Sequence, residues 1–158
     1  MSKKNSLNYL NQTFQLAQDS VKNGNHPFGA VLVHSNKVVC KAENEVNTLN
    51  DVTAHAELRL VQKAQKILTR KELSESILYS STEPCAMCSG AIYWSGIKKV
   101  IYGCSTKDLF NIVNEGLYIE SNSIFKYSTT EVDSIQKGDK KDFIQQHHSF
   151  WKKDFSHN

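Results

Sequence analysis

Two short clusters of metal-binding side chains, His55-Ala56-Glu57 and Pro84-Cys85-Ala86-Met87-Cys88, stand roughly thirty residues apart. Their pairing constrains the fold of this chain more than any other feature. Zinc takes a tetrahedral shell of nitrogen and sulfur ligands, and a catalytic zinc site leaves one position open. His55 and two thiolates supply three ligands, so a fold that uses them must bring the two clusters together. Cysteines three apart at the start of a helix lie on one helix face, where both sulfurs reach the same ion. The partial positive charge of a helix N-terminus also favours thiolate over thiol. Either cluster alone is weak. A His-x-Glu occurs by chance, and a Cys-x-x-Cys also serves as a redox pair or as half of a zinc ribbon.

The surrounding pattern places both clusters at helix starts. Leu7, Leu10, Phe14, Ala17 and Val21 recur at helical spacing and predict a first helix, stopped by Asn23-Gly24-Asn25. The apolar run from Gly29 to His34, a turn at Ser35-Asn36-Lys37 and the return from Val38 to Lys41 predict a hairpin. Residues 44–53 are polar and read as a loop. From Ala54 the pattern turns helical with Leu58, Val61, Ala64 and Leu68 on one face, capped by Thr53 or Asp51. A short strand over residues 77–80 leads to a helix over residues 85–94, entered through Pro84. Residues 99–103 form another strand. The pattern then weakens until a closing helix over residues 139–155. Strands alternating with helices imply a central sheet covered on both faces, an α/β class.

Composition narrows the setting. The chain has 158 residues, enough for one domain, with no repeat or linker to divide it. No apolar run approaches the roughly 20 residues that span a bilayer, and no secretory hydrophobic stretch follows the N-terminus. A cytoplasmic enzyme with no membrane partner is the expectation. The net charge of +3 neither demands nor excludes a nucleic-acid partner. Cys40 and Cys104 lie in apolar, strand-like contexts and read as core. His26, His34, His147, His148 and His157 read as surface or packing residues.

Taken in order, the two clusters match the H-x-E…P-C-x-x-C pattern of zinc deaminases. From about Phe14 to Gly103 the chain resembles the cytidine and nucleobase deaminase superfamily. The residues that carry the likeness are Pro27-Phe28-Gly29-Ala30-Val31-Leu32-Val33, Asn44, Asp51 to Glu57, and Glu83 to Trp94. Within it, Gly90-Ala91-Ile92-Tyr93-Trp94 is similar to bacterial guanine deaminases and related nucleoside deaminases. The resemblance implies a three-layer α/β/α sandwich around a mixed five-stranded sheet. It implies one zinc ion per subunit on His55, Cys85 and Cys88, with Glu57 as the proton shuttle. It also implies that Asn44 hydrogen-bonds the base or ribose, that Phe28 lines the base pocket, that the Ala56 backbone contacts the reacting end, and that Trp94 walls the pocket. Such a site hydrolyses a ring amine to a carbonyl and releases ammonia.

The resemblance ranks a guanine-type purine first among substrates. Residues 115–119, Glu-Gly-Leu-Tyr-Ile, lack the aspartate that guanine deaminases carry in the comparable stretch. Editing of tRNA adenosine is the alternative, with Lys98, Lys99 and the group Lys137, Lys140, Lys141, Lys152 and Lys153 as its only basic clusters. A cytosine or cytidine deaminase is a third reading, and a zinc-stabilised binding module without catalysis is the non-enzymatic one. In this superfamily homodimers are common. The segment 105–158, beyond a core of residues 7–104, then serves as an active-site lid or swapped element, with Phe150, Trp151 and Phe155 as its aromatic face.

Overall fold

The computed structural model describes residues 3–154, with side chains for residues 5–152. In chain order the elements are α1 (Lys3–Lys22), β1 (Gly29–His34), β2 (Lys37–Glu43), α2 (Val46–Leu49), α3 (Ala56–Ala64), α4 (Arg70–Ser74), β3 (Ile77–Thr82), α5 (Ala86–Ser95), β4 (Lys99–Cys104), α6 (Thr106–Val113), α7 (Ser121–Phe125), β5 (Asp133–Gln136) and α8 (Lys140–Asp154). The five strands form one sheet in the order β2-β1-β3-β4-β5. β1 is antiparallel to both β2 and β3, whereas β3, β4 and β5 run parallel, so the sheet is mixed.

Strand alternation divides the apolar side chains between two layers. Ala30, Leu32, Leu78, Val100 and Tyr102 face α3 and α5, packing on Ala56, Leu60, Val61, Ala64 and Ile92. Val31, Val33, Tyr79 and Ile101 face the other way, onto Tyr9 and Leu10 of α1 and Phe143 of α8. The architecture is the expected three-layer α/β/α sandwich. Two glycines let the second layer sit flush. A Cβ at Gly29 would lie 2.5 Å from the Thr13 carbonyl of α1, and one at Gly103 would lie 2.6 Å from the Phe143 ring.

The hairpin turns at Ser35-Asn36, both with positive φ, the geometry of a two-residue turn that matches strand twist. Residues 44–53 are not wholly a loop, because α2 interrupts them. Its first amides are capped from a distance. Asn44 Oδ1 accepts from Val46 N at 3.1 Å, and Asn25 Oδ1 accepts from Asn47 N and Thr48 N at 2.9 and 3.0 Å. Neither Thr53 nor Asp51 caps α3. Its N-cap is His55, while Asp51 is engaged locally, accepting from Thr53 N and Oγ1. The buried face of α3 carries Glu57, Leu60, Val61 and Ala64 rather than Leu58, because the helix must offer Glu57 to the sheet. Leu68 packs on the same core from beyond the helix end.

Beyond β4 the chain forms α6, α7 and β5, for which the sequence pattern gave no clear signal. A buried carboxylate organises them. Glu83 accepts from Thr106 N at 2.9 Å, from Ser121 N at 2.9 Å and from Ser121 Oγ at 2.7 Å. Thr106 and Ser121 are the first residues of α6 and α7, so one anion caps two helices. α8 lies on the α1 face of its own chain. Phe143 meets Phe14 edge-on at 5.5 Å between centroids, and Gln146 Nε2 donates to the Phe14 carbonyl.

Candidate active site

The sheet brings the two clusters together at the mouths of α3 and α5. His55 and Cys85 are the N-cap residues of these helices, both extended in backbone, and neither side chain caps its own helix. An N-cap side chain ordinarily accepts a bond from the first-turn amides. Here both turn instead toward a common point. Cys88, in the first turn of α5, completes the group.

Cys85 Sγ and Cys88 Sγ lie 3.7 and 3.6 Å from His55 Nδ1. All three donor atoms fall within 4.8 Å of one another. Tetrahedral zinc, with Zn–S near 2.3 Å and Zn–N near 2.0 Å, sets a sulfur–nitrogen edge of about 3.5 Å. The residues therefore fit the ion in donor type and in spacing. The Cys85 thiol is lowered to about 4, chiefly because the Cys88 thiol donates to it, with His55 helping against the cost of burial. Cys88 is pushed up by donating that bond, by burial and by the neighbouring Glu57. The contact with Cys85 raises His55.

Glu57 stands beside the three ligands, 5% exposed, in the first turn of α3. Ser80 Oγ of β3 donates to its Oε1 at 2.6 Å, and its Oε2 lies 3.5 Å from Cys88 Sγ. Burial raises its pKa against the opposing Ser80 bond. A carboxylate with one oxygen held and the other facing the metal ligands is equipped to carry a proton.

The other expected residues divide. Asn44 is buried and spends its carbonyl oxygen on α2, which leaves its Nδ2 without a partner among the described residues. Phe28 is half-buried at the start of β1 and packs 5.4 Å from the His147 ring. Ala56 is the first helical residue of α3, so its N–H has no intrahelical acceptor. Trp94 does not join them. It sits at the far end of α5, roughly 13 Å along the axis from Cys85, 73% exposed beside Arg70 and Lys98. A wall to this pocket and a place in the core are both excluded for it within the chain.

Four residues enter the neighbourhood without having been anticipated: Ser80, Thr82, Glu83 and His147. The run Ser80-Ser81-Thr82 in an otherwise apolar buried strand, directly before Glu83-Pro84-Cys85, was a readable sign. His147 carried none. It is fully buried on α8, where Thr82 Oγ1 and His147 Nε2 lie 2.8 Å apart and Trp151 Nε1 donates to His147 Nδ1 at 3.4 Å. Burial, with His148 nearby, lowers it to about 4, so its ring is neutral near pH 7. Trp151 and Phe150 also pack on His26, at 5.3 and 6.0 Å between centroids, which ties α8 to the loop before Phe28. Of the residues named for the C-terminal segment, Phe155, His157 and the Lys153 side chain lie outside the described residues.

The arrangement of two helix mouths, three ligands and a buried carboxylate is matched by a family model. The model described as the cytidine and deoxycytidylate deaminase zinc-binding region covers residues 3–104. The chain belongs to this zinc-binding family, and the group His55, Cys85 and Cys88 is the one placed to hold the ion. It is 38% identical over 151 residues to a probable cytosine deaminase of Schizosaccharomyces pombe, covering 92% of this chain and 91% of that protein. It is 43% identical over 105 residues to the guanine deaminase of Bacillus subtilis, covering 66% and 67%. A solved structure from work on tRNA:A34 deaminases superposes with a TM-score of 0.67 at 28% identity, covering 82% of this chain and 97% of that one. The chain is thus a deaminase-family protein whose relatives act on different substrates.

Proposed function

We propose that the protein hydrolyses the amine of a small heterocyclic base or its nucleoside, with a guanine-type purine as the first reading. The observation that carries the deaminase reading is Glu57, buried against the zinc ligands with one oxygen held by Ser80 and the other turned to the Cys88 thiol of the ligand group. A purely structural zinc site has no use for such a carboxylate. His55, Cys85 and Cys88 would hold the zinc ion, which would supply acidification of a water and stabilisation of developing negative charge. Glu57 takes the proton of the attacking water at Oε2 and returns it to the ring nitrogen. It passes a second proton to the departing amine, so that water and an amino-base become a carbonyl-base and ammonia. Ser80 keeps Oε1 out of this traffic. Asn44 Nδ2 and the Phe28 ring hold the base, by hydrogen bond and by stacking.

The guanine reading rests on the identity to the Bacillus enzyme and on the Gly90–Trp94 likeness. Cytosine is the second reading, favoured because the match to the probable cytosine deaminase runs well past β4 into the C-terminal elements. Action on tRNA would require a basic track. Lys140 is already paired with Asp108 at 3.2 Å, which weakens the clusters available for it.

We further propose a single cytoplasmic domain that forms a homodimer. All four cysteines are free thiols, which suits a reducing compartment. No helix among the described residues is long and apolar enough to cross a membrane. Val52, Met87 and Trp94 leave apolar surface near α3 and α5 for a second copy to cover.

Ammonia release by the zinc-loaded protein from guanine, adenine, cytosine, their nucleosides and a tRNA transcript tests the function. Turnover of one free base or nucleoside supports it and names the substrate. Release from tRNA alone, or none from any compound with one zinc bound per chain, overturns it.

A further inference from the structure

The contacts of α8 converge on one side chain that no part of the chemistry above uses. His147 is 1% exposed, the seat of a hydrogen-bonded chain that starts at Trp151 and ends at the strand leading to Cys85. Indole N–H only donates, so Nδ1 of His147 is the acceptor. A neutral imidazole then carries its proton on Nε2, which donates to Thr82 Oγ1. With that lone pair filled, the Thr82 hydroxyl proton must go elsewhere, and no acceptor for it stands among the described residues. Thr82 is itself buried at the end of β3, two residues beyond Ser80, which already serves Glu57, and three before Cys85. The opposite side of the His147 ring packs on Phe28.

We propose that His147 is a positioning residue for substrate binding: it fixes the Thr82 hydroxyl as a donor toward the substrate and holds Phe28 in place as the wall on which the base stacks. The inference rests on the base-deaminase reading and goes beyond it. It assigns recognition to a helix outside the family-matched segment, through a tautomer set by Trp151. The occupant is a planar heterocycle that offers a ring nitrogen or carbonyl acceptor near its rim.

Two measurements test it. Nitrogen-15 long-range correlation spectra of the zinc-loaded wild type should show His147 as the neutral Nε2–H tautomer from pH 6 to 8. The Nδ1–H tautomer overturns the proposal whether or not any substrate is known. In steady-state kinetics with the base that the panel identifies, Thr82→Val keeps the shape and removes the donor, and it should raise KM about tenfold with kcat little changed. His147→Leu should do the same, and His147→Gln, which retains a donor toward Thr82, should recover most of the loss. The double variant Thr82→Val/His147→Leu should be no worse than either single one, because both remove one device. An unchanged KM in Thr82→Val, or equal losses in His147→Leu and His147→Gln, reduces His147 to packing and overturns the proposal. Failure of the wild type to turn over any base counts against the functional reading, and the tautomer still judges this one.

Discussion

Two buried glutamates flank the metal ligands, and they are satisfied in opposite ways. Glu83 is held by three donors at the N-termini of α6 and α7, and its own amide continues the β3–β4 pairing by donating to the Cys104 carbonyl at 2.8 Å. Each of its oxygens is committed. Glu57 takes one strong donor, Ser80, on one oxygen and only the weak Cys88 thiol donor on the other. Burial with full hydrogen bonding makes an anchored anion, whereas burial with partial bonding makes a group ready to exchange a proton. The same residue type, in the same setting, anchors two helix starts at one position and, in the proposed function, carries protons at the other. The strength of the donors makes the difference.

Substitutions can break this comparison. The largest effect belongs to Glu57→Gln, which should lower turnover by about 10³-fold or more while one zinc per chain stays bound, read by ammonia release and metal analysis. Activity that survives this change defeats the proton-carrier role. Acidification comes next, and besides Glu57, whose pKa burial raises, it acts on His147. The folded pKa of His147, about 4, lies below the ordinary 6.5. Its neutral burial therefore contributes stability that is fully present above pH 6.5 and lost as pH falls toward 4. The contribution is on the order of 3 kcal/mol. Denaturation from pH 7 to pH 4 should show this loss in the wild type and a flatter profile in His147→Gln.

Glu83→Gln should cost on the order of 2 kcal/mol of stability, because its amide presents a donor to one of three donors. Turnover at low temperature should stay within a few fold of the wild type. A large loss of turnover without a loss of stability would place Glu83 in the chemistry and dissolve the contrast. The smallest effect is that of Ser80→Ala, which releases Oε1 of Glu57 and should lower kcat by about tenfold with KM unchanged.

The metal site was legible because its parts are local. A histidine and a glutamate two residues apart, and two cysteines three apart, need only a helix start each, and periodicity marked both starts. The sheet strands β1 to β4 and the long helices were readable for the same reason. The rest depends on partners distant in the chain. α2 is capped by Asn25, some twenty residues earlier, so its own sequence reads as loop. α7 owes its first turn to Glu83, α6 adds Glu83 to its local Ser105 cap, and β5 is an edge strand with only Ser134 buried. α4 carries a local sign, the capping box of Thr69 and Glu72, but five residues give no periodicity to notice. The role of His147 arises from Trp151 on its own helix and Thr82 far away, and a histidine among polar neighbours does not announce that.

The seating of α8 also sets an order of events during synthesis. Every zinc ligand has been made by residue 88, and the strands that align those ligands are complete by Cys104. The bond from Gln146 to Phe14 spans 132 positions, and the ring contact of His147 with Phe28 spans nearly as many. Contacts of such separation form late, because the loop they close is almost the whole molecule. A nascent chain paused after β4 would therefore hold His55, Cys85 and Cys88 with Phe28 not yet packed on His147. Among the described elements α8 is made after all the others, and only its arrival can bring His147 onto Thr82 and Phe28.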